Sequence, residues 1–168
     1  PSRAETVAAE FKTKAFHDMK DLFGKVDAVS VVTPTEHHYK VGMEFLSRGV
    51  HVMMEKPITT TTDEARSLVA EAKRTGTVLQ VGHLERFNGA MAALGNRINK
   101  PIFIEAFRLS PFPNRSTDVD VVLDVMIHDI DLVLSMADSE VADVEAAGLP
   151  VVSPGKADFA NARVTFRN

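Results

Sequence analysis

The chain contains no cysteine. Disulfides, thiol nucleophiles and cysteine-type zinc sites are therefore excluded, and a cytoplasmic setting is the expectation. Basic residues are not in excess either. Lys and Arg number 19 against 23 Asp and Glu, for a net charge of −4, so no basic face for nucleic acid is expected. No apolar run approaches the ~20 residues that span a bilayer, and no membrane partner is expected. No signal peptide is visible, and the chain opens on Pro1 rather than Met. Repeats and low-complexity tracts are absent. Glycine is sparse where phosphate binding would need it. No two glycines stand two apart, so no G-x-G-x-x-G turn exists.

What is present is enough for a core. Apolar residues make up 45% of 168, which fits one ordinary domain or two small ones. Ser2 to Phe11 reads as a helix, Lys14–Phe16 as a short extended segment, and Asp18–Phe23 as a small helix. Val26–Thr33 is a β-rich run that ends at Pro34. Glu36–Arg48 is a helix closed by Gly49, residues 51–54 a strand, Thr62–Thr75 a helix ended by Gly76, and Val78–Gly82 a strand. Short apolar strands alternating with helices of ~12 residues predict βαβ units and a parallel sheet. After Gly82 the pattern changes. Phe87–Ile98 reads as a helix, Ile102–Leu109 as a longer strand, Ser110–Asp118 as a loop, and Val119–Met136 as a helix. Val141–Ala147 and Ala157–Phe166 are strands without a helix between them, which predicts an antiparallel sheet. A domain boundary is placed near Asn99.

Two stretches carry chemistry. His51-Val-Met-Met-Glu-Lys-Pro57 is a strand that ends on a carboxylate, an ammonium and a proline. Charges at the C-terminal end of such a strand stand where α/β sheets bind ligands. Met53 and Met54 read as core filler. The second stretch, Val121 to Leu134, is apolar nearly all round, and a helix of that kind is usually buried. At 3.6 residues per turn Asp124, His128 and Asp131 share a stripe, with Asp120 and Ser135 extending it, and buried carboxylates need partners. The stripe is either the wet side of a two-faced helix or a site in which Asp124 orients His128 and His128 handles a proton. An aspartate one turn away would favour the imidazolium and raise its pKa. No metal site is assigned, because His-x-x-Asp spacing is unspecific and no second histidine stands at i±4.

Three landmarks now stand in order. Thr33-Pro-Thr-Glu-His-His38 follows one strand, Glu55-Lys56-Pro57 the next, and Asp124-x-x-x-His128-x-x-Asp131 lies on a later helix, with Gly82-His-Leu-Glu-Arg-Phe-Asn88 between. The ordered set resembles the glucose–fructose oxidoreductase / inositol dehydrogenase (Gfo/Idh/MocA) family of NAD(P)-dependent oxidoreductases, and is closest in detail to its nucleotide-sugar branch, such as the UDP-N-acetylglucosamine 3-dehydrogenases.

The resemblance implies a partial Rossmann-type dinucleotide-binding domain over 1–99 and part of an α+β substrate or oligomerisation domain over 100–168. It implies that Thr33, Pro34, His38, Glu55 and Lys56 lie by NAD or NADP, that Lys56, His128 and Asp124 are catalytic, and that Arg86, Asn88 and Asp131 line the substrate cleft. The substrate would be a sugar, polyol or nucleotide sugar, and a homo-oligomer is expected. Either Lys56 or His128 could take the hydroxyl proton, or Lys56 could stabilise charge on oxygen. The family's Gly-rich first unit is not in this sequence, so the chain reads as the middle of a longer protein. Lys14–Phe16 would then be strand 3 of a 3-2-1-4-5-6 sheet, with the edge at Val29–Thr33 unpaired and prone to association. The remaining alternatives are a ligand sensor on the same fold, or a remnant with an interaction role.

Overall fold

The computed structural model describes residues 2–109, 119–152 and 154–168. Helix α1, Ser2–Glu10, leads to a 3-10 turn at Met19–Leu22 whose N-cap, Asp18, accepts from Lys20 N–H at 2.9 Å. A parallel sheet follows. It contains β1 (Ala28–Val31), β2 (His51–Met54) and β3 (Leu79–Val81), in the order β1-β2-β3. The crossovers are α2, His38–Leu46, and α3, Thr62–Thr75. The α3 boundaries match the sequence expectation because its signals are local. Thr61 and Glu64 form a reciprocal capping box, and Gly76 closes the helix at φ 69°.

The core lies between this sheet and the two helices. Val31, Phe45, Leu46, Val52, Met54 and Leu68 are buried together. Met54 fills the core as expected, whereas Met53, on the other face of β2, is substantially exposed. Gly42 lets α2 sit close. A Cβ there would stand 2.7 Å from Met54 Cε and 3.0 Å from Leu68 Cδ2.

Beyond β3 come a 3-10 turn, Leu84–Phe87, and a short helix α4, Gly89–Leu94. The later helix opens as a π-helical turn, Val122–Met126, and continues as α5, Ile127–Ala137. Strands β4 (Val141–Leu149) and β5 (Phe159–Phe166) form an antiparallel pair, as expected.

Three expectations are corrected. Residues 102–109 are extended but belong to no ladder, and Ile102, Phe103, Phe107 and Leu109 are highly exposed. β-Propensity reports how well a residue fits a pleated, half-buried surface, and among the described residues no strand lies beside these to pair with them. The same holds for Lys14–Phe16, which carries no strand. The helix at 121–137 is half-buried rather than enclosed. The loop expected at Ser110–Asp118 lies outside the described residues.

Gly42→Val should lower stability by about 1–3 kcal/mol, the scale of overpacking, seen as a lower urea midpoint at unchanged m. Gly42→Ala should be near neutral, because it recovers ~1 kcal/mol of helix propensity and the Met54 methyl can yield. A valine variant as stable as the parent would mean that α2 does not sit this close to β2.

Candidate active site

Strands β1, β2 and β3 run parallel, and ligands in such sheets bind outside the C-terminal strand ends. A cleft of about 600 Å3 opens there. One wall is Thr33, Pro34 and Thr35 after β1, with Glu55, Lys56 and Pro57 after β2. The opposite wall is Arg108, Asp124, Val125 and His128. The two stretches singled out in the sequence therefore face one another across one cavity. Arg108 had no local signal, being a lone basic residue in an apolar run.

Lys56 bridges the walls. Its Nζ donates to the Asp124 backbone carbonyl at 2.6 Å and to Asp124 Oδ1 at 2.8 Å. Both side chains are about four-fifths buried, at 18% and 20% exposed. An ammonium has three donors, so one is left for the cleft. Glu55 is turned inward, its Oε2 accepting from Lys56 N–H at 3.0 Å. The Lys56–Pro57 peptide is cis.

The π turn explains why Asp124 serves Lys56 rather than His128. Asp120 caps the helix start, its Oδ1 accepting from Val122 and Leu123 N–H at 3.0 and 3.1 Å. The Ile127 N–H then reaches back five residues to Val122 O. This inserted spacing, frequent at functional sites, replaces the regular stripe that 3.6-residue periodicity predicts, and the Asp124 carboxylate bonds to Lys56 rather than to the His128 ring. The expected rise in His128 basicity is accordingly reversed. Burial pushes its pKa down, and the Lys56 and Arg108 cations push the same way, with Glu85 and Asp129 opposing. His128 Nδ1 is buried without a hydrogen-bond partner.

The three residues expected on substrate are engaged elsewhere. Arg86 Nε and Nη2 donate to the two carboxylate oxygens of Asp131 at 2.6 and 2.7 Å. That fork holds the Asp131 pKa below the usual carboxylate value, against the burial that would raise it. Asn88 caps α4 by accepting from Ala90 N–H at 2.9 Å, and donates to Glu85 Oε2 at 3.1 Å. Arg108 grips Asp129 in the same forked way, its Nη2 at 2.9 Å. His38, expected beside the dinucleotide, is 1% exposed. Its Nδ1 lies 2.8 Å from Pro57 O and its Nε2 2.8 Å from Thr33 O. The ring ties the exits of β1 and β2 together and frames the cleft.

The residues present fit the nicotinamide end of a dinucleotide. The ends of β1 and β2 open onto the cleft, Lys56 has a donor to spare, and Gly82, outside the lining, packs closely behind Glu55. A Cβ on Gly82 would stand 3.4 Å from both Glu55 Oε1 and Met54 O. For the pyrophosphate end this sequence offers no glycine-rich turn.

Lys56→Met should raise the pH at which His128 titrates, followed through its ring proton resonances. The return should be partial, because burial is the larger cause. Asp124→Asn, which leaves the Lys56 charge uncompensated, should move it the opposite way. Equal midpoints in all three proteins would separate His128 electrically from Lys56.

Comparison with known proteins agrees with this fold. Residues 1–83 match the model of the Gfo/Idh/MocA group, described as an oxidoreductase family with an NAD-binding Rossmann fold. The chain is 43% identical over 167 residues to UDP-N-acetylglucosamine 3-dehydrogenase of Acidithiobacillus ferrooxidans, covering 99% of this chain and 53% of that protein. A solved structure of that enzyme superposes with a TM-score of 0.91 at 42% identity, over 99% of this chain and 55% of that one. The scyllo-inositol 2-dehydrogenase (NAD(+)) of Bacillus subtilis is 29% identical over 164 residues, covering 90% of this chain and 48% of that protein. The WlbA dehydrogenase of Bordetella pertussis, solved with NADH and UDP-GlcNAcA, shares the fold at a TM-score of 0.82 and 20% identity, over 99% of this chain and 54% of that one. The chain spans about half the length of the relatives it matches. Residues 1–83 belong to the Gfo/Idh/MocA oxidoreductase family and carry part of its NAD-binding Rossmann fold.

Proposed function

We propose that the protein containing this chain is an NAD(P)-dependent dehydrogenase that oxidises a secondary hydroxyl of a sugar, polyol or nucleotide sugar, with a UDP-sugar as the favoured substrate. The observation that carries the reading is the meeting of Lys56, Asp124 and His128 in one cleft at the C-terminal ends of parallel strands. The substrate class is taken from the relatives' names, in particular the UDP-N-acetylglucosamine 3-dehydrogenase.

When bound, the nicotinamide supplies the hydride acceptor. The chain's own groups supply the rest. Removing hydride from an alcohol carbon requires that the hydroxyl proton go elsewhere. A neutral imidazole can take it, and burial together with the Lys56 and Arg108 charges keeps His128 in that form. Lys56, held by Asp124, turns its remaining N–H toward the reacting oxygen and stabilises the negative charge that develops there. Asp124 orients Lys56. Thr33, Pro34 and Glu55 line the dinucleotide's side of the cleft, and His38 holds that wall in shape. Residues 1–99 would form the dinucleotide-binding part and 100–168 the part that carries His128. A cytoplasmic location and a homo-oligomeric state complete the proposal, the exposed apolar side chains of 102–109 and of β4 favouring association.

In the complete protein, a screen of UDP-sugars and polyols with NAD and NADP should show alcohol-dependent cofactor reduction. Lys56→Ala and His128→Ala should each lower kcat by ~10²-fold or more, the scale of a positioned acid, base or charge stabiliser. Cofactor affinity should change little in His128→Ala, because the ring lies on the wall opposite the strand ends. Near-normal turnover in both variants would sink the assignment.

A further inference from the structure

We propose that Arg86 and Asp131 are positioning residues, a clamp that aims His128 by fixing its helix to the exit of β3. This rests on the proposed role of His128. The family resemblance puts the two residues on substrate, but neither lines the cleft. Asp131 is 8% exposed, the only buried carboxylate among the described residues. Both its oxygens are taken by the Arg86 fork at 2.6 and 2.7 Å. A planar fork fixes direction as well as distance, which a point charge cannot do.

Position along the chain gives the clamp its purpose. Arg86 sits in the 3-10 turn Leu84–Phe87, which leaves β3 after only Gly82 and His83. The turn is therefore tied closely to the sheet. Asp131 lies three residues after His128, and Asp124, held by Lys56 at the exit of β2, lies four before it. His128 thus stands between two pinned points, each referred to a different strand. The ring needs such pins, because its Nδ1 has no hydrogen bond to orient it. The third pair on this helix, Arg108 with Asp129, cannot do the same. Arg108 comes from the unladdered segment 102–109, so it refers the helix to nothing rigid.

The test uses the complete protein carrying Arg86→Ala, Arg86→Lys or Asp131→Asn. Arg66→Ala is the control, since its pair with Asp63 is surface-exposed. Arg86→Ala should lower kcat by up to about 100-fold, the scale of a displaced catalytic group, with KM for the alcohol little changed. Arg86→Lys, which keeps the charge and loses the fork, should lose less and carries the test if the alanine variant does not fold. In each clamp variant the His128 ring resonances should move, and in Arg66→Ala they should not. A raised KM with unchanged kcat and unmoved resonances would make Arg86 a substrate contact and overturn the proposal. Unmoved resonances with normal kinetics would overturn it as well, reducing the pair to fold stability. A parent protein that oxidises no alcohol removes the dehydrogenase reading alone, because the ring resonances still judge the clamp.

Discussion

The pairing of Lys56 with Asp124 is the constraint on which the site depends. It joins residues 68 apart in sequence. The lysine takes both the side-chain oxygen and the backbone carbonyl of the same aspartate. A side chain that swung away would break one contact and keep the other, so the lysine effectively reads the helix backbone. A pair this enclosed carries a desolvation cost that offsets much of its Coulomb attraction. Its value lies in geometry more than in stability. It sets the distance between the strand ends and the wall that carries His128.

That geometry decides the electrostatics. A histidine near an aspartate is expected to hold its proton more tightly, and Asp124 stands only four residues from His128. Yet the Asp124 carboxylate is committed to Lys56, and what His128 meets is the ammonium. Burial and two cations outweigh Glu85 and Asp129, and the ring is driven toward its neutral form. The same three residues thus support a proton acceptor, where the i,i+4 rule by itself favours the imidazolium.

How much of this was legible depends on the range of the interaction. The limits of β2 and α3 could be read because their signals are local: Pro57 after the strand, Thr61 and Gly76 around the helix. The order of Thr33-Pro34, Glu55-Lys56 and Asp124-His128 was enough to place two walls of one cleft. The partners of Asp124, Asp129 and Asp131 were not legible. Each is met by a basic residue from a different earlier segment, Lys56, Arg108 and Arg86, at separations no helical periodicity encodes. The π turn was invisible for a related reason. Residues 121–127 have the composition of an ordinary helix, and the insertion is recorded in hydrogen bonds rather than in residue types. The strand expected at 102–109 failed differently. Its β-branched and aromatic content is genuine, but a strand exists only through a neighbour.

These long-range pairs leave a helix in which every acid is accounted for. Asp120 caps the helix, and Asp124, Asp129 and Asp131 are each held by a cation. His128 is then the titratable group on that helix left with a free ring nitrogen. Selecting it by elimination has a physical consequence. Removing any one of the three cations leaves an unpaired carboxylate within a few residues of His128, which draws the ring toward protonation. The substitutions that best separate positioning from charge are those that keep the cation and change its shape, since they alter where the helix lies while leaving the field around His128 nearly as it was.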